Sequence, residues 1–248
     1  MRLYPLYSSS KGNCYYLGTK QAGVLIDAGG STRRITNALS AAGISLASVK
    51  AVFVTHEHSD HIGALPVLLK RVNVPVFGTP GTVSMLSLPA SHYIPENVLG
   101  MKVSVIKTSH DSAEPCGFRF DTTESSISFL TDSGVITADF EKAFGSETVV
   151  LESNYDPGML SMSYYPPHTK ARIAGRYGHL SNKDSAAFAR ELIKHGAKNI
   201  LLAHLSENNN TPDLAKSAFL TGTADFTEGK DCFLKILPPA LDNWFCSV

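Results

Sequence analysis

Thr55-His56-Glu57-His58-Ser59-Asp60-His61 decides how this chain is read. It sets three imidazoles and two carboxylates side by side. The apolar, β-branched run Ala51-Val52-Phe53-Val54 precedes it, and Ile62 to Lys70 reads as the start of a helix. The cluster therefore lies on the loop leaving a strand end, where functional groups are usually carried. His56 and His58, two apart on an extended loop, can point the same way. Asp60 and His61 come one turn later and address a neighbouring point. That pattern suits two cations roughly 4 Å apart, with imidazole and carboxylate ligands for each. A polar loop that holds histidines by chance accounts for one imidazole far better than for three. The spacing also excludes a zincin helix, whose two histidines share one helical face.

Outward from the loop, composition narrows the classes. The chain has 248 residues, 43% of them hydrophobic, with a mean hydropathy of −0.01, which befits a globular protein with a sizeable core. Lys plus Arg and Asp plus Glu both count 22, so no global field draws the protein to nucleic acid or membrane. Any phosphate affinity must be local or metal-borne. No apolar stretch is long enough for a signal peptide or a membrane span, and no membrane partner is expected. Cys14, Cys116, Cys232 and Cys246 lie far apart and read as free thiols of a cytoplasmic protein. Nothing in the sequence signals an oligomeric state.

The pattern His56-x-His58-x-Asp60-His61 after an apolar strand resembles the signature of the metallo-β-lactamase superfamily. The resemblance implies an α/β fold, a four-layer αββα sandwich of two mixed β-sheets flanked by helices. Here it would form a single hydrolase domain over residues 1–248. Further landmarks follow in order. Val24-Leu25-Ile26 reads as a strand ending at Asp27, which matches the Asp that supports the metal ligands from behind. Val103 to Lys107 runs into His110, the third ligand motif. Ser126 to Leu130 ends in Thr131-Asp132-Ser133-Gly134, which matches the motif of the metal-bridging Asp. Asn199 to Ala203 delivers His204, preferred over His179 as last ligand for its place at a strand end. The implied set is His56, His58 and His110 on one ion, Asp60, His61 and His204 on the other, and Asp132 bridging. Zn²⁺ or Mn²⁺ suits such ligands. A water shared by two cations loses its proton near neutral pH and becomes the nucleophile, which Asp60 could orient.

The substrate is read from the rest of the chain. Thr108-Ser109-His110-Asp111-Ser112 departs from the Gly-His-Thr-x-Gly of lactamases and thioesterases. Glu152 after a strand and Gly178-His179-Leu180-Ser181 opening a helix resemble the phosphodiesterase branch, in which a Glu–His pair protonates the leaving oxygen. Residues 111–131 are too few for the arm of tRNA 3′-processing enzymes, and residues 133–178 cannot hold the inserted domain of mRNA-processing nucleases. With Ser9-Ser10-Lys11-Gly12-Asn13 and Ala203-His204-Leu205-Ser206-Glu207-Asn208-Asn209, the chain looks like the compact YycJ/WalJ group. That implies a metal-dependent DNA exonuclease. Ser10, Lys11 and Asn13 sit on a turn that is either a plain hairpin loop or one that faces a phosphate. Tyr165, Arg172 and Arg176 fall in a basic, aromatic stretch between Glu152 and His179, where tyrosines can stack on bases and arginines neutralise phosphates. Two other functions stay open: a small-molecule cyclic phosphodiesterase, and a metal-binding regulator with little catalysis.

Overall fold

Two β-sheets carry the chain, each made by an antiparallel hairpin that leads into a parallel run. They were traced in a computed structural model that describes residues 1–88, 91–237 and the backbone of 246–247. The chain divides into two compact units, one comprising Met1–Val103, Ser112–Pro115 and Pro238–Val248, the other Ser104–Asp111 and Cys116–Leu237.

In the first unit, β1 (Arg2–Ser9), β2 (Gly12–Gly18) and β3 (Gly23–Ile26) pair antiparallel. Strands β4 (Val49–Phe53), β5 (Val76–Gly78) and β6 (Ser91–Tyr93) then add in parallel to β3. Cys246–Ser247 pairs with the far side of β1. Helix α1 (Thr32–Ala41) begins where the Ser31 side chain accepts from the Arg34 amide, and it buries Thr32, Ile35, Ala38 and Leu39 along one stripe. That stripe packs with Tyr4, Leu6, Leu25 and Val52 in one apolar cluster. The helix expected from Ile62 to Lys70 is two single turns, α2 (Ser59–Ile62) and α3 (Leu65–Leu68). Gly63 and Ala64 intervene, and Pro66 has no amide hydrogen with which to continue the first turn. Helix α4 (Pro80–Leu86) follows β5. The two-residue β7 (Asn97–Val98) folds back on the first residues of β8 (Met101–Lys107).

In the second unit the strand order is β13-β12-β11-β10-β9-β8. Strands β9 (Cys116–Asp121) and β10 (Ser126–Leu130) form the hairpin, and β11 (Thr148–Glu152), β12 (Asn199–Ala203) and β13 (Phe233–Ile236) run parallel to β10. Two short helices, α5 (Pro157–Met162) and α6 (Pro167–Ile173), precede α7 (Asn182–Lys194), and α8 (Pro212–Gly222) follows β12. Phe188, Ala189 and Leu192 of α7 and Ala215 and Phe219 of α8 join Val149, Leu151, Ile200 and Leu202 in the second core. Two mixed sheets with flanking helices are the α/β class expected.

The layout places function at strand ends. Asp27 and His204 directly follow β3 and β12, Asp132 comes two residues after the end of β10, and each has a positive φ (58°, 56° and 60°). Non-glycine residues seldom adopt that conformation, and it turns the chain sharply while leaving the side chain at the strand's carboxyl end. Among the described residues no helix is long and apolar enough to cross a membrane. Cys14, Cys116 and Cys232 are buried thiols, and the Cys246 side chain lies outside the described residues.

Candidate metal centre and active site

In the first unit the metal loop is built around a buried carboxylate. The Asp27 amide donates to the Phe53 carbonyl (2.7 Å), which joins the ends of β3 and β4. Its Oδ1 accepts from the Thr55 amide (2.8 Å), and its Oδ2 lies 3.0 Å from the Thr55 hydroxyl and 2.7 Å from His61 Nδ1. Burial pushes the Asp27 carboxyl above its ordinary range, although His61 and Thr55 pull the other way. The carboxylate draws the His61 proton to Nδ1, so Nε2 carries the lone pair. Asn13 Nδ2 sits 3.2 Å from that nitrogen and Asp60 Oδ2 3.4 Å. Thr55 Oγ1 also lies 3.0 Å from His56 Nδ1, which leaves His56 with Nε2 as its coordinating atom. The His56 ring is 4.6 Å from that of His58 and 4.2 Å from that of His61, centroid to centroid. One turn of α2 suffices to bring Asp60 and His61 beside His58, its N-cap residue. A side chain at Gly29 would collide with the Asp60 carbonyl and the Asn13 amide, so Gly29 lets three backbone segments meet here.

In the second unit Glu152, the last residue of β11, is fully buried. Its Oε2 accepts from the Ser133 and Leu180 amides (both 3.0 Å), and its Oε1 lies 2.8 Å from His179 Nδ1 and 2.9 Å from His204 Nδ1. Burial opposes its charge, yet His179 and then His204 hold it well below the usual carboxylate range. Asp132 Oδ1 is 3.2 Å from His204 Nδ1, 3.6 Å from His179 Nδ1 and 3.9 Å from His110 Nε2. Asp132, Glu152, His179 and His204 each offer one atom within 4.8 Å of the others, a grouping able to hold a cation. His110 places Nδ1 2.9 Å from the Gly178 carbonyl, which makes Nε2 the available nitrogen. Burial lowers its pKa, partly offset by Asp132, and so favours the neutral imidazole that metals bind. The His204 side chain is 2% exposed and that of His179 15%, so of the two His179 is the one open to solvent.

Both clusters have the donor chemistry of a metal site: imidazoles fixed through Nδ1 by a carboxylate, hydroxyl or carbonyl, with a carboxylate alongside. The substrate residues fare differently. Ser10 and Lys11 are exposed. Asn13 is buried; its Oδ1 lies 3.1 Å from Ser8 Oγ and 3.2 Å from the Ser9 amide, and its Nδ2 donates to the Ser9 carbonyl. It shapes the turn and faces His61. Arg172 binds Asp111 (2.7 Å), and Tyr165 receives a hydrogen bond from Asn208 (2.9 Å). Arg176 is exposed. Sequence reading missed Thr55, Ser133 and Asp111. Thr55 stands inside the quoted stretch, but its role depends on Asp27, far upstream. Asp111 follows His110 and links it (3.3 Å) to Arg172.

A family model described as the metallo-beta-lactamase superfamily matches residues 10–204, and the chain belongs to that superfamily. Among known proteins, it is 33% identical over 223 residues to "Exodeoxyribonuclease YycJ" of Bacillus anthracis, covering 85% of this chain and 84% of that one. It is 28% identical over 257 aligned residues to "Exodeoxyribonuclease WalJ" of Streptococcus pneumoniae, covering 96% and 94%. Among solved structures, the metallo-beta-lactamase fold protein YhfI from Bacillus subtilis matches with a TM-score of 0.73 at 15% identity over 97% of both chains, a likeness of fold.

Proposed function

We propose that the protein is a phosphodiester hydrolase dependent on two divalent metal ions, a DNA exonuclease working in the cytoplasm, with residues 1–248 acting as one hydrolase domain. His56, His58 and His110 would hold one ion, Asp60, His61 and His204 the other, and Asp132 both; Zn²⁺ or Mn²⁺ fits. When bound, such ions would supply an activated water and charge to balance the phosphoryl oxygens. The chain's own residues do the rest. Asp60, 23% exposed, orients the attacking water by accepting its hydrogen bond. His179 donates a proton to the departing sugar oxygen, which leaves poorly as an alkoxide. Glu152 is the positioning residue: it fixes the His179 ring through Nδ1 and leaves Nε2 to face the substrate.

The observation that carries this reading is the Glu152–His179 pair. A partly exposed imidazole is backed at 2.8 Å by a fully buried carboxylate, beside Asp132 and His204. A phosphodiester with a poor leaving group needs that proton donor. The two exodeoxyribonuclease relatives, matched over most of their length, support DNA as the substrate. A small cyclic phosphodiester is the second reading, favoured by the zero net charge. The test is to strip the protein with chelator, restore Mn²⁺ or Zn²⁺, and assay single-stranded DNA, double-stranded DNA and bis-p-nitrophenyl phosphate. Degradation of DNA from its ends, only with metal, is the expected result. Hydrolysis of small diesters alone selects the second reading, and no hydrolysis selects a regulator.

A further inference from the structure

The turn from Gly175 to Gly178 is pinned at every carbonyl. Gly175 accepts from the Gly178 amide (2.9 Å), Arg176 from the Ser109 hydroxyl (3.0 Å) and Tyr177 from the Asp111 amide (3.1 Å), and the Gly178 carbonyl meets His110 Nδ1 (2.9 Å). The His179 amide donates back to Ile173 (2.9 Å), and any side chain at Gly134 would strike the carbonyls of Gly175 and Arg176. Such a turn has little freedom. Yet it presents its large side chains outward: Tyr177 is 60% exposed, two residues before His179. The preceding segment does the same. Helix α6 buries none of its residues, and Met162 and Tyr164 are 88% and 79% exposed. Between Asp156 and Asp184 there is no acidic residue, whereas Lys170, Arg172, Arg176 and Lys183 are basic.

Single exposed apolar residues need no explanation, but an open ring on a pinned turn two residues from His179, in a stretch whose own charges are all basic and whose acidic neighbour Asp111 is taken up by Arg172, does. Aromatic faces interleaved with cations fit a nucleic-acid strand, whose bases stack on the rings while its phosphates meet the cations. We propose that Tyr177 is the platform for the nucleobase next to the bond being cut, with the Arg176 guanidinium meeting a neighbouring phosphate. This rests on the nuclease reading above and adds a selectivity to it. An unpaired terminal base is free to swing onto the ring while its phosphate enters the site, whereas a paired one must first open, so frayed and single-stranded ends are cut ahead of blunt ends closed by G·C pairs. Tyr165 does not share the role, because its hydroxyl is held by Asn208 and its ring meets Tyr164 edge-on at 4.9 Å.

The experiment uses metal-loaded protein and phosphorothioate-protected oligonucleotides with 2-aminopurine at one terminus or the other. Wild type and Tyr177→Phe should quench its fluorescence from one end, and Tyr177→Ala should not. On cleavable strands Tyr177→Ala should raise KM roughly tenfold, the scale of one lost base stack. It should also narrow the preference for frayed over blunt ends, while Tyr177→Phe keeps both. On a strand abasic at that terminal position, Tyr177→Ala and wild type should converge. If wild type cleaves DNA and Tyr177→Ala matches it in KM and quenching, the platform is overturned and the nuclease reading stands. If wild type neither cleaves DNA nor quenches the probe, both fall.

Discussion

In the first unit a buried carboxylate, Asp27, holds one imidazole and one threonine; in the second, Glu152 holds two imidazoles and two backbone amides. Both sit at the carboxyl end of a parallel strand, and both fix histidines through Nδ1. Their ionisation moves in opposite directions. With a single histidine facing it, burial wins at Asp27 and its pKa rises; with His179 and His204 both facing it, burial loses at Glu152 and its pKa falls. The difference follows the number of imidazoles facing each carboxylate. Asp27 thus faces a single imidazole nitrogen, while Glu152 is held as a fixed negative charge between two.

The comparison breaks most visibly at Glu152. Glu152→Ala would strand two imidazole Nδ1 atoms and the Ser133 and Leu180 amides in a buried site. A loss of about 3–5 kcal/mol is expected, as for other dismantled buried charge networks, together with loss of DNA cleavage. Urea unfolding of metal-free protein measures it, and a change below about 1 kcal/mol would deny Glu152 its anchoring role. Asp27→Asn should be milder. An asparagine oxygen still accepts from the Thr55 amide, so about 1–3 kcal/mol is at stake. The new amide nitrogen, however, faces His61 Nδ1 and favours the tautomer with the proton on Nε2. Metal affinity should weaken about 10–100-fold, read by competition with a chromogenic chelator. An unchanged affinity would mean that Asp27 does not set the His61 tautomer.

The smallest effect separates two arginines that look alike in sequence. Arg172 is tied to Asp111, whereas among the described residues Arg176 forms no ion pair. Arg176→Ala should reduce the salt slope of oligonucleotide binding by about one unit, and Arg172→Ala by clearly less. Equal slopes would show that the Asp111 bond does not occupy Arg172 in the complex.

What was legible in the sequence was local. His56, His58, Asp60 and His61 share one loop, and Asp27, Asp132 and His204 each follow a strand whose apolar run announces its end. The elements flanking them could be read in the same way, except where Gly63 and Pro66 cut one expected helix into two turns. What stayed hidden needed contacts between residues distant in sequence. That Glu152 serves His204 as well as His179 depends on β11 and β12 pairing in register, with Glu152 opposite Ala203. Asn13 reads as a polar turn residue, and only the folded hairpin shows that its amide is used up inside. Tyr165 and Tyr177 are both tyrosines in a basic stretch, and only the fold shows that Asn208 and Tyr164 hold the first while the second stands open.

The most direct test of the account compares His179→Ala with His204→Ala, the two histidines on one Glu152 oxygen. Each variant is analysed for bound metal, then assayed on DNA and on bis-p-nitrophenyl phosphate, whose leaving group needs no proton. The account predicts that His179→Ala keeps its metal, loses roughly 10²–10⁴-fold on DNA and much less on the activated diester, while His204→Ala loses metal and both activities. Loss of metal from His179→Ala, or cleavage of DNA by it at the wild-type rate, would contradict the assignment of proton donor and ligand.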